Sequence, residues 1–304
     1  MTTAPAQQLL LRAETAIATR HDLVFVEVVP WRSGDPASTI VPTIPGAHRA
    51  GVREVFAGTP QPGEGHLPLP DARTLRRRVF SWLEGRERSP FVLFTRNPRD
   101  TASATRAWFT LSWAGFSDVC LLLGGLDGWI AAGGPIGDSH APTDEAQEEA
   151  NARSLGAQRG APWPVRAISA EELADVGPRG TLLDGRPPAE YAGFADDPRS
   201  GHVPGAASAP ASELLDSEGA LLRPAAVRRW MLEHNAIGSH HVAAYCNGGV
   251  ASSLIVFAAA LIGQSIDLYV DSWSGWTQGD HRPVAHGEHR ISTGSARFAC
   301  FDPL

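Results

Sequence analysis

Short apolar runs alternate along this chain with longer apolar segments, and the two lengths predict different elements. Phe25-Val-Glu-Val28, Phe91-Val-Leu-Phe94, Thr181-Leu-Leu-Asp184 and His241-Val-Ala-Ala-Tyr245 read as short buried strands. Segments 101–113 and 250–262 carry apolar residues over too great a length for strands and read as helices. Gly115 and Gly263 follow them, where a C-terminal helix cap is expected. Strands alternating with helices predict an α/β fold whose parallel sheets are covered by helices on both faces.

The order of these elements repeats. Phe25-Val-Glu-Val28 echoes Leu182-Leu-Asp184, and Ile44-Pro-Gly-Ala47 echoes Val203-Pro-Gly-Ala206. Phe91-Val-Leu-Phe94 echoes Val242-Ala-Ala-Tyr245, and Leu123-Gly-Gly-Leu-Asp-Gly-Trp129 echoes Val270-Asp-Ser-Trp-Ser-Gly-Trp276. Two α/β domains are therefore expected, at residues 1–137 and 166–288, with a linker at 138–165 and a C-terminal tail at 289–304. The linker is rich in Gly, Pro, Ala and acidic residues, and its run Asp144-Glu-Ala-Gln-Glu-Glu149 reads as a solvated face. Trp273 and Trp276 are expected in the core or on a cavity wall of the second domain, with Trp129 as the matching core residue of the first.

Composition narrows the class. A length of 304 residues suffices for two cores, and 43% hydrophobic with 19% charged residues suits a globular protein. A formal net charge of −7 supplies no basic stripe, so no nucleic-acid partner is expected. The longest apolar stretch, 250–263, falls short of the roughly 20 residues needed to span a bilayer, so no membrane partner is expected either. The N-terminus lacks a positive region followed by an apolar core, and a cytoplasmic location is expected. The 3 cysteines, Cys120, Cys246 and Cys300, form no Cys-x-x-Cys pair and suit a reducing compartment. Cys120, inside Asp118-Val-Cys-Leu-Leu-Leu123, reads as a core strand residue.

Cys246 stands apart from the other two. It follows a predicted strand, precedes a predicted helix, and is trailed by Gly248 and Gly249. The first amides of a helix lack internal partners, and the glycines allow the loop to curl so that those amides converge. Such a cradle, aided by the helix dipole, favours thiolate over thiol. The competing reading is a small buried hydrophobe.

Four motifs decide between them. Leu182-Leu-Asp-Gly-Arg186, Gly201-His-Val-Pro-Gly-Ala206, the Cys246 loop and Asp271-Ser-Trp-Ser-Gly-Trp276 occur in an order that resembles the rhodanese family of sulfurtransferases. The resemblance implies two rhodanese-like domains, each a parallel sheet with helices on both faces, the second active and the first degenerate. Thr95-Arg96-Asn97-Pro98 stands where the first domain would carry its cysteine. In this reading Cys246 is the nucleophile that carries sulfur as a persulfide, and Asn247, Gly248, Gly249, Val250, Ala251 and Ser252 cradle the anion. Arg186 and Arg199 resemble substrate arginines of mercaptopyruvate-type members, and His66 resembles a first-domain histidine that reaches the site. Asp184 and His202 belong to motifs that position the loop. The aspartate expected soon after Ile44-Pro-Gly-Ala47 is absent, with His48-Arg-Ala-Gly51 in its place.

No cofactor and no metal are expected. His281, His286, His289 and Cys300 could in principle ligate zinc, but they read as solvated tail residues, and His240-His241 reads as a surface turn. The partners implied are a small anionic sulfur donor and an acceptor, which could be a thiol, thioredoxin, cyanide or a sulfur-carrier protein. A loop without charge favours 3-mercaptopyruvate over the thiosulfate dianion. Related phosphatases place an arginine six residues after the cysteine, where this chain has Ser252, so phosphoryl transfer is disfavoured. The remaining alternative is a non-catalytic binding or regulatory module.

Overall fold

The computed structural model describes residues 8–34, 37–84, 86, 88–140, 163–279 and 281–287. The first half forms strands β1 (Leu10–Leu11), β2 (Val24–Val29), β3 (Pro42–Thr43), β4 (His48–Gly51), β5 (Phe91–Phe94), β6 (Val119–Leu122) and β7 (Gly137–Asp138). Its helices are α1 (Ala13–Ala18), α2 (Ala72–Ser81), α3 (Thr101–Trp113) and α4 (Gly125–Ala131). The second half forms β8 (Thr181–Asp184), β9 (Ala206–Ser208), β10 (Val242–Tyr245) and β11 (Asp267–Leu268). Its helices are α5 (Ala170–Val176), α6 (Pro188–Ala192), α7 (Pro224–Glu233), α8 (Val250–Leu261) and α9 (Ser272–Trp276).

Each half builds a parallel sheet. The strand orders are β1-β6-β5-β2-β4 and β11-β10-β8-β9, and a parallel bridge from Ala167 to Leu268 sits where β1 sits in the first sheet. Burial on both faces explains why the strands are apolar throughout. Along β5, Phe91 and Leu93 enter one core while Val92 and Phe94 enter another. Along β10, Val242 and Ala244 share the first of these cores, while Ala243 and Tyr245 point into a third. The strand period of two thus divides side chains between layers.

The largest core is common to both halves. It lies between the sheets and is built around α3 and α8, where Trp108 meets Phe257 edge-on with ring centroids 4.9 Å apart. Because α8 has sheet on one side and α3 on the other, it is buried from Ser252 through Ala260. An apolar stretch that would look excessive on a surface helix is explained by this position. Gly115 and Gly263 adopt φ of +94° and +74° just past the two helices, the left-handed cap geometry expected of them.

Matching hydrogen bonds relate the halves. Trp129 donates through Nε1 to the Pro135 carbonyl at 2.8 Å, and Trp276 to the Pro283 carbonyl at 2.9 Å. The Leu126 amide donates to the Thr95 carbonyl and the Trp273 amide to the Cys246 carbonyl, both at 2.9 Å. Thr95 therefore occupies the place in the first half that Cys246 occupies in the second. Cys120 lies in β6, where burial pushes its thiol up to about 12 and leaves it inert at neutral pH. Most of the expected linker, residues 141–162, and the tail with His289 and Cys300 lie outside the described residues.

Candidate active site

Cys246 is the first residue beyond β10, at the carboxyl edge of the parallel sheet, where α/β folds place their ligand crevices. The chain turns there through Gly249, at φ +77°, which caps the N-terminus of α8. The Gly249 amide donates to Cys246 Sγ at 3.2 Å, and the Ser252 hydroxyl donates to the same sulfur at 3.3 Å. Sulfur thus acts as the acceptor for the start of α8, where the helix dipole favours negative charge. Of the loop amides expected to converge on sulfur, only that of Gly249 bonds it; those of Gly248, Val250, Ala251 and Ser252 do not. The serine contributes its side chain instead, a role hidden by reading the loop as backbone alone.

A second turn clamps the loop from behind. The Cys246 amide donates to Ser272 Oγ at 3.2 Å, and the Asn247 carbonyl accepts from the Ser274 amide at 3.0 Å. Ser272 holds a φ of +56°, a conformation that non-glycine residues rarely adopt. The first half docks on the same turn: the Gly65 amide donates to Asp271 Oδ1 at 3.2 Å and the His66 amide to Ser274 Oγ at 3.0 Å. A β-carbon on Gly65 would lie 2.2 Å from the Asp271 carbonyl oxygen, so only glycine permits this approach. Burial raises the Asp271 carboxyl above its ordinary range, against the pull of the Gly65 amide.

Above the sulfur lies a cavity of about 370 Å³ walled by both halves. Trp31, Arg32, His66 and Arg99 come from the first half, and Arg186, Glu190 and the Cys246 loop from the second. Cys246 is itself only 3% exposed, so its sulfur sits at the floor. At the matching place in the first half, the space beside Thr95 shrinks to about 30 Å³ and is closed by Ala220 and Leu221.

Arg186 lines the cavity beside Cys246 and is held there by its neighbours. Its Nε and Nη2 grip Asp184 at 2.9 and 2.5 Å, and Nη2 also donates to the Gly201 carbonyl at 2.6 Å. Burial opposes its charge, but Asp184 more than offsets that cost and holds the guanidinium above its ordinary pKa. Trp273 stacks on it with the ring centroid 4.4 Å from Cζ. The ion pair with Asp184 fixes Arg186 in the wall of the cavity that holds Cys246. Arg199 is turned away altogether. Its guanidinium binds the carbonyls of Thr277, Gly279 and Arg282, beyond the C-terminus of α9 and off the cavity wall.

Asp184 and His202 act on strand ends. Tyr245 donates to Asp184 Oδ2 at 2.6 Å and accepts from the Val203 amide at 3.0 Å, which ties β8, β10 and the His202 turn together beneath the loop. Burial, with Asp184 adding to it, pushes the Tyr245 hydroxyl well above its usual pKa, so it remains a donor. His202 stacks on Tyr191 with centroids 3.8 Å apart and bonds the Tyr191 carbonyl through Nδ1.

Among the described residues one cluster, His48, Glu84 and His140, has three potential metal ligands. The two imidazoles are stacked, 7° from parallel and 4.5 Å apart. Nitrogen lone pairs lie in the ring planes, so two parallel planes cannot direct them at one ion. The residue standing where an aspartate was expected, His48, packs between Trp82 and His140, and burial lowers it to about 3.

The hydroxyl of Ser252 gives a direct test of the cradle. Ser252→Ala should slow alkylation of Cys246 at neutral pH roughly tenfold, since one hydrogen bond to a charged sulfur contributes about 1.5 kcal/mol. An unchanged rate would remove the hydroxyl from the cradle.

The geometry agrees with what the chain is similar to. The Rhodanese-like domain family matches residues 169–279. A Mycobacterium tuberculosis protein described as a thiosulfate sulfurtransferase, SseB, is 31% identical over 93% of this chain and 99% of its own length. A Pseudomonas aeruginosa protein described as a 3-mercaptopyruvate sulfurtransferase is 35% identical over 81% of this chain and 84% of its own. The solved structure of SseA from Escherichia coli, titled for the rhodanese fold of 3-mercaptopyruvate sulfotransferases, aligns at a TM-score of 0.66. That alignment has 20% identity and covers 88% of this chain and 99% of SseA. With a cysteine loop between strand and helix, a second half built to the same plan and relatives matched along nearly their whole length, the chain belongs to the rhodanese family of sulfurtransferases.

Proposed function

We propose that this enzyme takes sulfur from a small anionic donor, carries it as a persulfide on Cys246 and passes it to a thiol or cyanide. The observation that carries the reading is the Cys246 sulfur held by the Gly249 amide and the Ser252 hydroxyl at the floor of an open cavity. In the first step the thiolate attacks the donor's outer sulfur. The new S–S bond forms as the donor's bond to that sulfur breaks, and its electron pair leaves with pyruvate enolate, which takes a proton, or with sulfite. In the second step the acceptor attacks the outer sulfur of the persulfide, and the Cys246 thiolate departs with the electron pair. Serine could not substitute, because its alkoxide is inaccessible at neutral pH.

The preferred donor is 3-mercaptopyruvate. The loop from Asn247 to Ala251 carries no charge to balance a dianion, and Arg186 is already paired with Asp184. Arg32 and Arg99 are left on the cavity wall to meet a single carboxylate. The first half, residues 1–137, serves as the far wall and not as a second sulfur carrier, because Thr95 stands in the position of the nucleophile. A donor panel read by initial rates and intact mass tests the proposal. Either donor should add one sulfur atom to the protein, with 3-mercaptopyruvate giving the faster turnover. Faster turnover with thiosulfate would reverse the donor assignment, and the absence of any sulfur adduct would overturn the persulfide.

A further inference from the structure

Arg106 is the one charged side chain on α3, and it is completely buried. Burial without compensation is costly for a cation, so its donors need an explanation. Nε and Nη2 bond the Phe56 carbonyl, and Nη2 also bonds those of Leu67 and Pro68, at distances from 2.8 to 3.3 Å. Nη1 has no hydrogen-bond partner among the described residues. That nitrogen points at the cysteine loop: a β-carbon built on Gly249 would lie 2.5 Å from it. Gly249 is the residue whose amide bonds Cys246 Sγ. The guanidinium therefore fills the space that a side chain at 249 would need, directly behind the sulfur cradle.

We infer that Arg106, supplied by the half without a nucleophile, is a positioning residue whose charge holds Cys246 and its persulfide in the anionic form. The inference rests on the proposed role of Cys246. A charge with no water around it acts through a lower dielectric and is screened much less by salt, so its field at the sulfur is stronger than that of a surface arginine. Burial lowers Arg106 to about 10, against the opposing attraction of Cys246 and Asp271, so it stays a cation at neutral pH. The other charged groups around the sulfur are differently placed. Asp271 lies behind the loop on the α9 turn, where the Gly65 amide holds it. Arg186, paired with Asp184, and Glu190 flank the cavity from the second half. Arg32, His66, Arg99 and Asp100 face it from the first half, across open space. Arg106 is the cation packed against the residue that touches sulfur. Its carbonyl contacts also anchor the stretch after His66, so one side chain ties the cavity wall to the nucleophile loop.

The test is alkylation of Cys246 by iodoacetamide in the full chain, followed by peptide mass across a pH series, with folding checked by circular dichroism. Arg106→Gln and Arg106→Met should raise the midpoint of the profile by about one pH unit or more and slow the reaction at neutral pH about tenfold. Arg106→Lys keeps the charge and should hold the midpoint within about half a unit. A purely structural role predicts that lysine shifts the midpoint as far as the neutral variants do, because none of the three replacements keeps the guanidinium's carbonyl contacts. Folded neutral variants with a wild-type midpoint would overturn the inference, as would a lysine variant shifted as far as they are. If the neutral variants do not fold, a folded Arg106→Lys with a wild-type midpoint supports it, and a shift of about one unit or more overturns it. Alkylation needs no donor, so a wild-type protein that never forms a persulfide would count against the proposed chemistry and leave this result standing.

Discussion

Cys246→Ser should retain the fold and lose sulfur transfer by at least about a thousandfold, in line with removal of a sole nucleophile elsewhere. The substituted oxygen can still accept from the Gly249 amide and the Ser252 hydroxyl, so the loop keeps its hydrogen bonds. What disappears is polarisable, ionisable sulfur. The first half offers no substitute, since Thr95 takes the matching place and Cys120 is a buried strand residue. The measurement is steady-state transfer with each donor, together with intact mass after donor treatment. A serine variant that still turned over at a substantial fraction of the wild-type rate would remove Cys246 from the mechanism.

Asp184→Ala should destabilise the protein by about 3–5 kcal/mol, the usual cost of leaving a buried charge without its partner. Arg186 is 3% exposed and receives most of its compensation from Asp184, with Tyr245 completing the network through its hydroxyl. The double variant Asp184→Ala/Arg186→Met should recover a large part of that loss, because removing both charges leaves none buried alone. Chemical denaturation of the three proteins gives the comparison. If the single and double variants were equally unstable, the pair would not be the source of the effect. Sulfur transfer should fall in the single variant as well, since the network fixes the ends of β8 and β10 from which the Cys246 loop departs.

Much of the fold was legible before the structure. β8 spans Thr181–Asp184 and α3 spans Thr101–Trp113, as read from the apolar runs, because both are buried on two sides and their patterns have sharp ends. The two-residue strands β1 and β11 were not legible, since so short a pairing leaves no periodicity to read. The Cys246 loop was legible because its glycines and helix start stand in one order with three other motifs along the chain. The destinations of long charged side chains were not. Arg186 and Arg199 each had a plausible anion to bind, but spacing does not reveal whether Asp184 or a set of carbonyls takes the guanidinium first. Arg106 carries a signal in the sequence, since a single arginine inside an otherwise uncharged helix needs buried acceptors, but the pattern does not say which carbonyls supply them. The role of the Ser252 hydroxyl is not legible in the sequence, because its bond to Cys246 depends on how the loop enters α8.

The shared core between the sheets changes what the first half is for. Neither sheet has a complete interior of its own, because α3 and α8 each seal the layer that the other leaves open. The thermodynamic unit is therefore the pair, and the first half cannot be discarded without leaving α8 as a greasy rod in water. Such a partner is free to change wherever it faces solvent but is bound by shape wherever it meets its twin. The first half is in effect a permanent internal subunit, joined across an interface that no dilution can dissociate.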